Sequence, residues 1–359
     1  MNNILKLFSF LVALCFSVHV FADHSNMDVY GTNEKKAAKI INQFGTEIAA
    51  YAQCHAAEHR LKPECQFEKQ AKIKKTIIEK IRKNGDFAYV NISTVTYPEM
   101  REHPGIREFI TIDVVEKKDK SRVAYLAQFK SKNFNKNIKK SQELDRLIKQ
   151  WASYENVGLE LFYKQEIRSV KNCSAYHCTW GFEHADLKKY QAVFDKEVPK
   201  YKTKLVETLK RDPDENRRSA AACLLAHIKN GKELVDILTP SISDPSEEVR
   251  NDVMRVLEST LAIVKPTNFN IDPIIQALDS PVLTDRNKAL CMIMSLSEQP
   301  KYARYVAEHA GASLMASLKM IQPNLHSAAY VVSQRISGKT YGEHDYELWQ
   351  NWFLEQAKG

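Results

Sequence analysis

A short pattern recurs four times between residues 212 and 336, and this repetition limits the possible folds more than any other feature of the sequence. In the clear copies a proline follows Asp or Ser, and an arginine stands five positions after the proline, ahead of an apolar segment. The clear copies are Asp212-Pro213 with Arg218, Asp244-Pro245 with Arg250, and Ser280-Pro281 with Arg286, and a weaker copy begins at Gln322-Pro323. The starts at 212, 244, 280 and 322 lie 32, 36 and 42 residues apart. Spacings of this size are typical of stacked helix pairs.

Each copy has the chemistry of a helix start. Proline is tolerated in the first helical turn, and the Asp or Ser before it can accept hydrogen bonds from the free N–H groups there. Asp244 and Glu247 fit the spacing of a capping box. A shorter amphipathic segment precedes each copy, at 204–209, 234–242, 274–278 and 314–321. One helix pair cannot bury its apolar face alone, so we expect neighbouring pairs to stack around a shared core.

The copy at residues 244–250 resembles the turn and second helix of a HEAT repeat. The tail resembles the closing segment of bacterial HEAT-repeat proteins, and its matching residues are Thr340, Tyr341, Gly342, Asp345, Trp349 and Trp352. The resemblance covers about residues 187–359. It implies an all-α HEAT-like α-solenoid in which the repeated arginine ties one turn to the next, and it implies a protein partner.

The tail also has the pattern of a structural cap. Gly338 marks the end of one helix, and Asp345 can open a final one. Four large apolar side chains then share one broad helical face: Leu348, Trp349, Trp352 and Phe353. A terminal repeat needs such a cover for its own apolar face. The alternative is that this face binds a partner.

The first 22 residues are typical of a signal peptide. A positive charge precedes an apolar segment at residues 7–18, and residues 20–22 fit a cleavage site before Asp23. Cys15 raises the alternative of a lipid anchor, but Leu14 stands where a small residue is required. We therefore expect a periplasmic or secreted protein. No later apolar segment approaches the roughly 20 residues of a membrane helix.

Charge divides the mature chain into two parts. Residues 23–185 hold 28 Lys and Arg against 21 Asp and Glu, whereas residues 186–359 hold 23 of each. The basic excess therefore belongs to the first part. We expect an α+β domain at 23–185 and the helical repeat domain at 186–359, in direct contact because no Gly/Ser-rich or Pro-rich linker separates them.

The first part alternates between helical and strand patterns. Helices are predicted at 33–56, 67–82 and 142–154, an antiparallel pair of strands at 87–97 and 109–115, and a third strand at 159–163. Asn84-Gly85 is a typical helix stop. The fold class predicted for the whole chain is thus an α+β N-terminal domain followed by an all-α HEAT-like α-solenoid.

The six cysteines after the signal segment fall into two groups. In an exported protein disulfides are favoured over free thiols, and two close pairs can form them. These pairs are Cys54 with Cys65 and Cys173 with Cys178. Four cysteines allow three connectivities, so cross-pairing stays open. Cys223 and Cys291 occupy the same register of two repeats and are predicted as buried thiols.

Histidines beside these cysteines offer a zinc site as an alternative. His55 and His59 follow Cys54, and His177 and His184 flank Cys178. The spacing matches no common zinc motif, and an oxidising compartment favours disulfides. The sequence therefore assigns no metal and no cofactor.

A lysine-rich segment without acidic residues is the strongest local charge feature. Its members are Lys130, Lys132, Lys136, Lys139 and Lys140, with Phe134 between them. Such a segment is usually a solvated loop, and the alternative is contact with phosphate, an anionic lipid head group or another polyanion. Export argues against nucleic acid as the partner.

Familiar catalytic motifs do not occur in the sequence: it has no Gly-x-Ser-x-Gly, no phosphate-binding glycine loop and no His-Glu-x-x-His. Glu116-Lys117-Lys118 after a strand is similar to one limb of metal-dependent nucleases, and Asp86 would have to supply the second carboxylate. Asp113 stands three residues before Glu116 and would therefore lie on the opposite face of the strand from it. Two hypotheses follow. The first is a non-catalytic interaction or scaffold protein of the bacterial cell envelope, and the second is an exported metal-dependent hydrolase or nuclease with its site in the first domain.

Overall fold

The computed structural model describes residues 26–54, 65–98, 106–129, 134, 141–167 and 173–358. Several sequence predictions fall on other residues and lie outside this described part. They concern the signal peptide at 1–22, the mature start at Asp23, the histidines His55 and His59, and the lysines Lys130, Lys132, Lys136, Lys139 and Lys140.

The first half of the described chain combines strands with helices, and only helices follow. The first half contains β1 (Met27–Tyr30), α1 (Glu34–Gln53), α2 (Phe67–Gly85), β2 (Phe87–Pro98), β3 (Ile106–Glu116), α3 (Lys120–Gln128) and α4 (Gln142–Tyr163). The second half contains α5 (Ala185–Arg211), α6 (Glu215–Leu225), α7 (Gly231–Leu238), α8 (Glu247–Val264), α9 (Asp272–Leu278), α10 (Leu283–Leu296), α11 (Pro300–His309), α12 (Gly311–Leu318), α13 (Pro323–Ser337) and α14 (Tyr346–Gln356). This order confirms an α+β part followed by a helical part. In the described ranges no helix is long and apolar enough to cross a lipid bilayer.

β3 is the central strand of the sheet, in the order β1-β3-β2. β2 pairs with it in the antiparallel direction, as predicted, and Ile92 lies opposite Ile112. β1 pairs with it in parallel. Ile48 of α1 and Ile77 of α2 share a core with one face of β3, and Asp113 on the other face is also fully buried. Both faces of the central strand are therefore covered.

Two short elements differ from the sequence prediction. Residues 159–163, predicted as a strand, form the last turns of α4, because Leu161 continues the buried helical face of Tyr154. The third strand is β1, whose four residues are too few to show a clear alternating pattern. α3 also has no counterpart in the prediction, since the side chain that it buries is Arg122 rather than an apolar face.

The helices of the second half are organised in pairs that follow the repeated pattern. α5 packs with α6, α7 with α8, α9 with α10, and α12 with α13. The second helices also pack in series, α6 with α8, α8 with α10, and α10 with α13. α11 is an additional helix between the third and fourth pairs, and it accounts for the longest spacing between the sequence copies.

One apolar core runs through the helical half and includes α4. The ring of Tyr154 in α4 lies 5.3 Å from Phe182 and 5.8 Å from Phe194, measured between ring centres. A second core lies between the sheet and the helices α1 and α2. α4 therefore packs with the helices that follow it. The division of the chain at residue 185 stays a prediction.

Two disulfides connect neighbouring parts of the chain. Cys54 bonds to Cys65, with 5.0 Å between the Cα atoms, and ties the end of α1 to the start of α2. Cys173 bonds to Cys178 just before α5. Of the three connectivities that the sequence allows, the structure contains the one with both bridges local.

The remaining described cysteines, Cys223 and Cys291, are free thiols. Cys223 in α6 is buried, whereas Cys291 in α10 is partly exposed. The expected burial therefore holds for Cys223 and only in part for Cys291.

α14 packs against α11 and α12. Trp349, Trp352 and Phe353 are buried, and the Trp349 indole donates a hydrogen bond of 2.9 Å to the carbonyl oxygen of Gly342. Leu348, predicted on the same face, is instead 48% exposed. It lies one position before Trp349, which is about 100° around the helix and outside the buried face.

Candidate functional site

Three arginines form a row along the starts of the second helices. Arg218, Arg250 and Arg286 lie in the first turns of α6, α8 and α10. In each of them Nη1 donates a hydrogen bond of 2.7 or 2.8 Å to the main-chain carbonyl six residues earlier. Each arginine thereby fixes the turn that precedes its own helix.

The rest of the guanidinium group reaches the next pair of helices. Arg218 donates to both carboxylate oxygens of Asp244, at 3.1 and 2.9 Å, and both side chains are buried. Arg250 makes the corresponding contact with Asp285, at 3.0 and 3.1 Å. The third copy has Ser280 in place of an Asp, and its hydroxyl donates to the Asp285 carboxylate at 2.9 Å. The sequence pattern includes the arginines and Asp244, but it gives no sign of Asp285.

Arg286 takes its carboxylate from the sheet. Its Nη2 donates to Oδ1 of Asp113 in β3 at 2.6 Å, and both side chains are fully buried. Burial raises the pKa of the Asp113 carboxyl, and the adjacent guanidinium opposes this shift. The first half of the chain thus supplies the carboxylate that completes the arginine row.

An aromatic ring from the first half covers each arginine of the row. The ring centres lie 3.9, 4.0 and 3.7 Å from the guanidinium carbons, within the range of cation–π contacts. The pairs are Phe134 with Arg218, Phe129 with Arg250, and Tyr30 with Arg286. β1 and the residues at and after the end of α3 therefore lie over the arginine row.

A second contact, partly buried, joins β1 to the fourth helix pair. Oδ2 of Asp28 accepts hydrogen bonds from the main-chain N–H groups of Ile321 and Gln322, at 2.7 and 3.0 Å. Loss of solvation raises the pKa of Asp28 to about 6, although both hydrogen bonds act in the opposite direction. Gly31 follows with a φ of 96°, and a Cβ atom there would lie 2.0 Å from the Val114 carbonyl oxygen. Only glycine fits this turn, which leads β1 into α1.

A cleft of about 1340 Å³ opens beside this junction. One wall consists of β1 and the start of α1, and the other consists of residues from α11, α12 and α14. The apolar part of the lining includes Val29, Ala37, Met315, Ala316, Phe353 and Leu354. Leu354 is 54% exposed, so a large apolar side chain is accessible at the cleft. The volume exceeds the roughly 300–1,000 Å³ of ordinary small-molecule pockets.

Charged side chains of both signs line the cleft beside this apolar surface. Glu34 and Glu308 are acidic members, and Lys35 and Lys319 are basic members. An apolar centre with a mixed polar rim is typical of protein–protein interfaces, whereas a nucleic-acid site has an excess of basic residues. Charges of both signs therefore line the cleft, without the basic excess of a nucleic-acid site.

The carboxylates considered for a nuclease site have partners within the chain. Glu116 accepts hydrogen bonds from Lys36 at 2.6 Å and from Thr32 at 2.7 Å. The Lys36 contact, followed by that of Thr32, lowers the pKa of Glu116 to about 2. Asp86 forms an exposed ion pair with Lys117. Both carboxylates thus take part in structural contacts at the ends of the strands.

The histidines near the second disulfide contact separate partners. Nδ1 of His177 lies 3.1 Å from the hydroxyl of Ser259, and burial lowers the pKa of His177 to about 4. His184 caps α5, where its Nδ1 accepts a hydrogen bond of 3.2 Å from the main-chain N–H of Asp186. Cys178 is bonded in the disulfide, so its sulfur cannot act as a thiolate ligand.

Comparison of the chain with models of known protein families, with curated proteins and with solved structures finds no match. Function therefore has to be inferred from the geometry of the chain itself. Two features dominate that geometry. One is the buried junction between the halves, and the other is the cleft beside it.

Proposed function

We propose that the chain is a non-catalytic protein-binding scaffold of the bacterial cell envelope, and that its partner binds in the cleft beside β1. The observation that carries this proposal is the composition of the cleft. Apolar side chains, among them the exposed Leu354, stand next to charges of both signs. The space is larger than most small molecules need, and a protein surface of mixed polarity fits it.

The helical half of this scaffold is, in this proposal, a HEAT-like α-solenoid. Four helix pairs follow the four copies of the sequence pattern, and their second helices pack in series. Arg218 and Arg250 each connect their own turn to an acid of the next pair, which is the role that the resemblance implies. Arrays of this kind offer extended surfaces to protein partners.

Export to the periplasm or beyond is supported by two features. The first 22 residues have the sequence pattern of a signal peptide. Two disulfides are typical of an oxidising compartment. Fractionation of the producing cell with N-terminal sequencing tests this part, and we expect a mature chain that begins at Asp23. An uncleaved chain with reduced cysteines in the cytosol would contradict export.

Two leucines of α14 provide a matched test of the cleft. Leu354 lines the cleft and Leu348 is outside its lining, and the two side chains are 54% and 48% exposed. The wild-type chain, Leu354→Arg and Leu348→Arg serve as baits in an envelope extract, and mass spectrometry identifies the captured proteins. Loss of a central apolar contact weakens binding by about tenfold or more. We therefore expect Leu354→Arg to lose a partner that the other two baits retain.

Two results would count against this function. Equal capture of the partner by all three baits would place the binding surface outside the cleft. Hydrolysis of a nucleic-acid substrate with added Mg²⁺ by the wild-type chain, abolished in Glu116→Gln, would favour the nuclease hypothesis over a scaffold. We expect no such hydrolysis, because Lys36 and Thr32 hold the Glu116 carboxylate.

A further inference from the structure

The link between α13 and α14 brings three potential metal ligands together. His326 of α13, Glu343 and His344 each offer one ligand atom, and these atoms lie within 4.8 Å of one another. Nε2 of His326 lies 3.5 Å from Oε2 of Glu343, and Nε2 of His344 lies 3.4 Å from Oε1. We propose that this cluster binds a divalent transition-metal ion, with Zn²⁺ as the preferred ion.

His326 is prepared for this role by its other ring nitrogen. Nδ1 lies 2.6 Å from the carbonyl oxygen of Leu318. A carbonyl can only accept a hydrogen bond, so in the neutral ring the proton is on Nδ1 and the lone pair is on Nε2. Metal-binding histidines commonly have this arrangement, in which one nitrogen donates to a carbonyl and the other binds the ion. The ring of His344 is oriented by the Tyr346 hydroxyl, which lies 3.1 Å from Nδ1.

Nε2 of His326 otherwise lacks a role in the described structure. It is a buried atom without a hydrogen-bond partner. The distance of 3.5 Å to Glu343 is long for a hydrogen bond. A buried polar atom that is left unsatisfied is unfavourable, and a metal ion at this place would satisfy it.

The distances between the ligand atoms are close to those of a tetrahedral site. For metal–ligand bonds of about 2.0–2.1 Å, two ligand atoms of a tetrahedron are about 3.3–3.4 Å apart. One Glu343 oxygen, Oε2, lies 3.5 Å from Nε2 of His326, and the other, Oε1, lies 3.4 Å from Nε2 of His344. With one ligand atom from each residue all three lie within 4.8 Å, and a rotation of the exposed Glu343 and His344 side chains would close the site around an ion. Two imidazoles and one carboxylate favour Zn²⁺, whereas Mg²⁺ and Ca²⁺ prefer oxygen ligands alone.

Other contacts hold the link in place without using the ligand atoms. The Trp349 indole donates to the Gly342 carbonyl at 2.9 Å, and the Gly342 N–H donates to Asp345 at 2.7 Å. The side chains of Glu343 and His344 are 53% and 69% exposed, so an ion can enter from solvent. Three protein ligands leave a fourth position, which water or a group of another molecule can occupy. A bound ion would fasten the link to α13.

Equilibrium dialysis of the tag-free mature chain against Zn²⁺ tests the proposal. We expect one ion per chain, and we expect Glu343→Gln and His344→Ala each to weaken binding by roughly tenfold or more. His309→Ala is the matched control, because Nδ1 of His309 also lies near a carbonyl, 2.9 Å from that of Tyr305, but the residue is outside the cluster. This control should bind Zn²⁺ as tightly as the wild type.

Thermal unfolding with and without Zn²⁺ provides a second measurement. The two test substitutions are at exposed side chains, so the metal-free variants should melt like the wild type. Zn²⁺ should raise the melting temperature of the wild type and of His309→Ala, and it should have little effect on the other two variants. If the wild-type chain binds no Zn²⁺, the cluster is only a set of contacts between Glu343 and the two histidines. Equal binding by all variants would place the ion elsewhere, and either result would overturn the proposal.

Discussion

Arg286 and Asp113 form a fully buried ion pair, in which Nη2 donates to Oδ1 at 2.6 Å. The two residues are 173 positions apart in the sequence. One lies in α10 and the other in β3, so the pair connects the third helix pair with the central strand of the sheet. The stability of the helical half should therefore depend on the sheet.

Removal of the Asp113 carboxylate should destabilise the whole chain. In Asp113→Ala the charge of Arg286 stays buried without a carboxylate partner, and such a loss reduces the free energy of unfolding by about 3–5 kcal/mol. Urea unfolding followed by circular dichroism measures it. Lys117→Ala is the control, because it breaks an exposed ion pair with Asp86, which contributes about 1 kcal/mol or less. A similar loss in both variants would show that the buried pair has no special weight.

Arg250→Lys should also be destabilising, although it keeps the charge. Arg250 donates to the Asp285 carboxylate and to the carbonyl oxygens of Asp244 and Pro245, and one ammonium group cannot reproduce this geometry. We expect the free energy of unfolding to fall by about 1.5–3 kcal/mol. Arg304→Lys on the surface of α11 should change it by less than about 0.5 kcal/mol. An unchanged melting curve for Arg250→Lys would refute the role assigned to the arginine row.

Neighbouring residues of α14 should differ sharply in their effect on stability. Trp349 is fully buried, and Trp349→Ala should reduce the free energy of unfolding by about 3–5 kcal/mol. Leu348 is largely accessible, and Leu348→Ala should stay within about 0.5 kcal/mol of the wild type. Thermal and urea unfolding provide the comparison. If the two variants were equally stable, α14 would not form part of the core.

Asp28 should give the stability a pH dependence with a definite sign. The pKa of Asp28 is raised from 3.8 to about 6 in the folded chain. Between these values the folded chain holds a proton that the unfolded chain has released. The contribution of Asp28 to the free energy of unfolding is therefore fully present below about pH 3.8, and it is lost as the pH rises through about 6.

Asp28→Asn isolates this effect. The amide oxygen can still accept the hydrogen bonds from Ile321 and Gln322, but the side chain no longer titrates. The free energy of unfolding of the variant relative to the wild type should increase across this pH range by up to about 3 kcal/mol. Urea unfolding at several pH values measures the difference. A difference that is independent of pH would contradict the burial of the Asp28 charge.

The disulfide pairing predicts how many thiols react. In the denatured, unreduced mature chain, alkylation should add two labels, at Cys223 and Cys291. In the native chain Cys223 should stay unlabelled, because burial raises the pKa of its thiol and blocks access. Intact-mass analysis counts the labels. Modification of Cys54 or Cys173 before reduction would exclude the two bridges.

Sequence reasoning reached the paired helices because their determinants are local. The pattern predicts the prolines at 213, 245 and 281 in the first helical turn, but each lies directly before the N-cap residue of α6, α8 or α10. Asp244 accepts a hydrogen bond from the Ser246 N–H instead of capping α8. The same short segments still mark where these helices begin, and they contain the arginines. The antiparallel pairing of β2 and β3 follows from two alternating segments joined by a turn-rich connection. Local chemistry determines both features.

The junction and the cleft were out of reach because their contacts join distant parts of the chain. Asp113 stands in an apolar strand, and nothing near it in the sequence indicates Arg286. By analogy with Asp244, the pattern predicts that the residue before Pro281 accepts the hydrogen bonds of Arg250. That residue is Ser280, and Asp285 accepts them instead. The cleft depends on the placement of β1 against α14, which spacing along the chain does not determine.

The residues of β3 are synthesised long before those of α10, since Asp113 precedes Arg286 by 173 positions. The separation is larger for Asp28, whose hydrogen-bond donor Ile321 follows it by 293 positions. The docking step of β1 and β3 on the helical half depends on these contacts, and contacts this far apart in sequence form slowly. The same step assembles both walls of the cleft. A chain that ends before α14 should therefore lack part of one wall of the cleft.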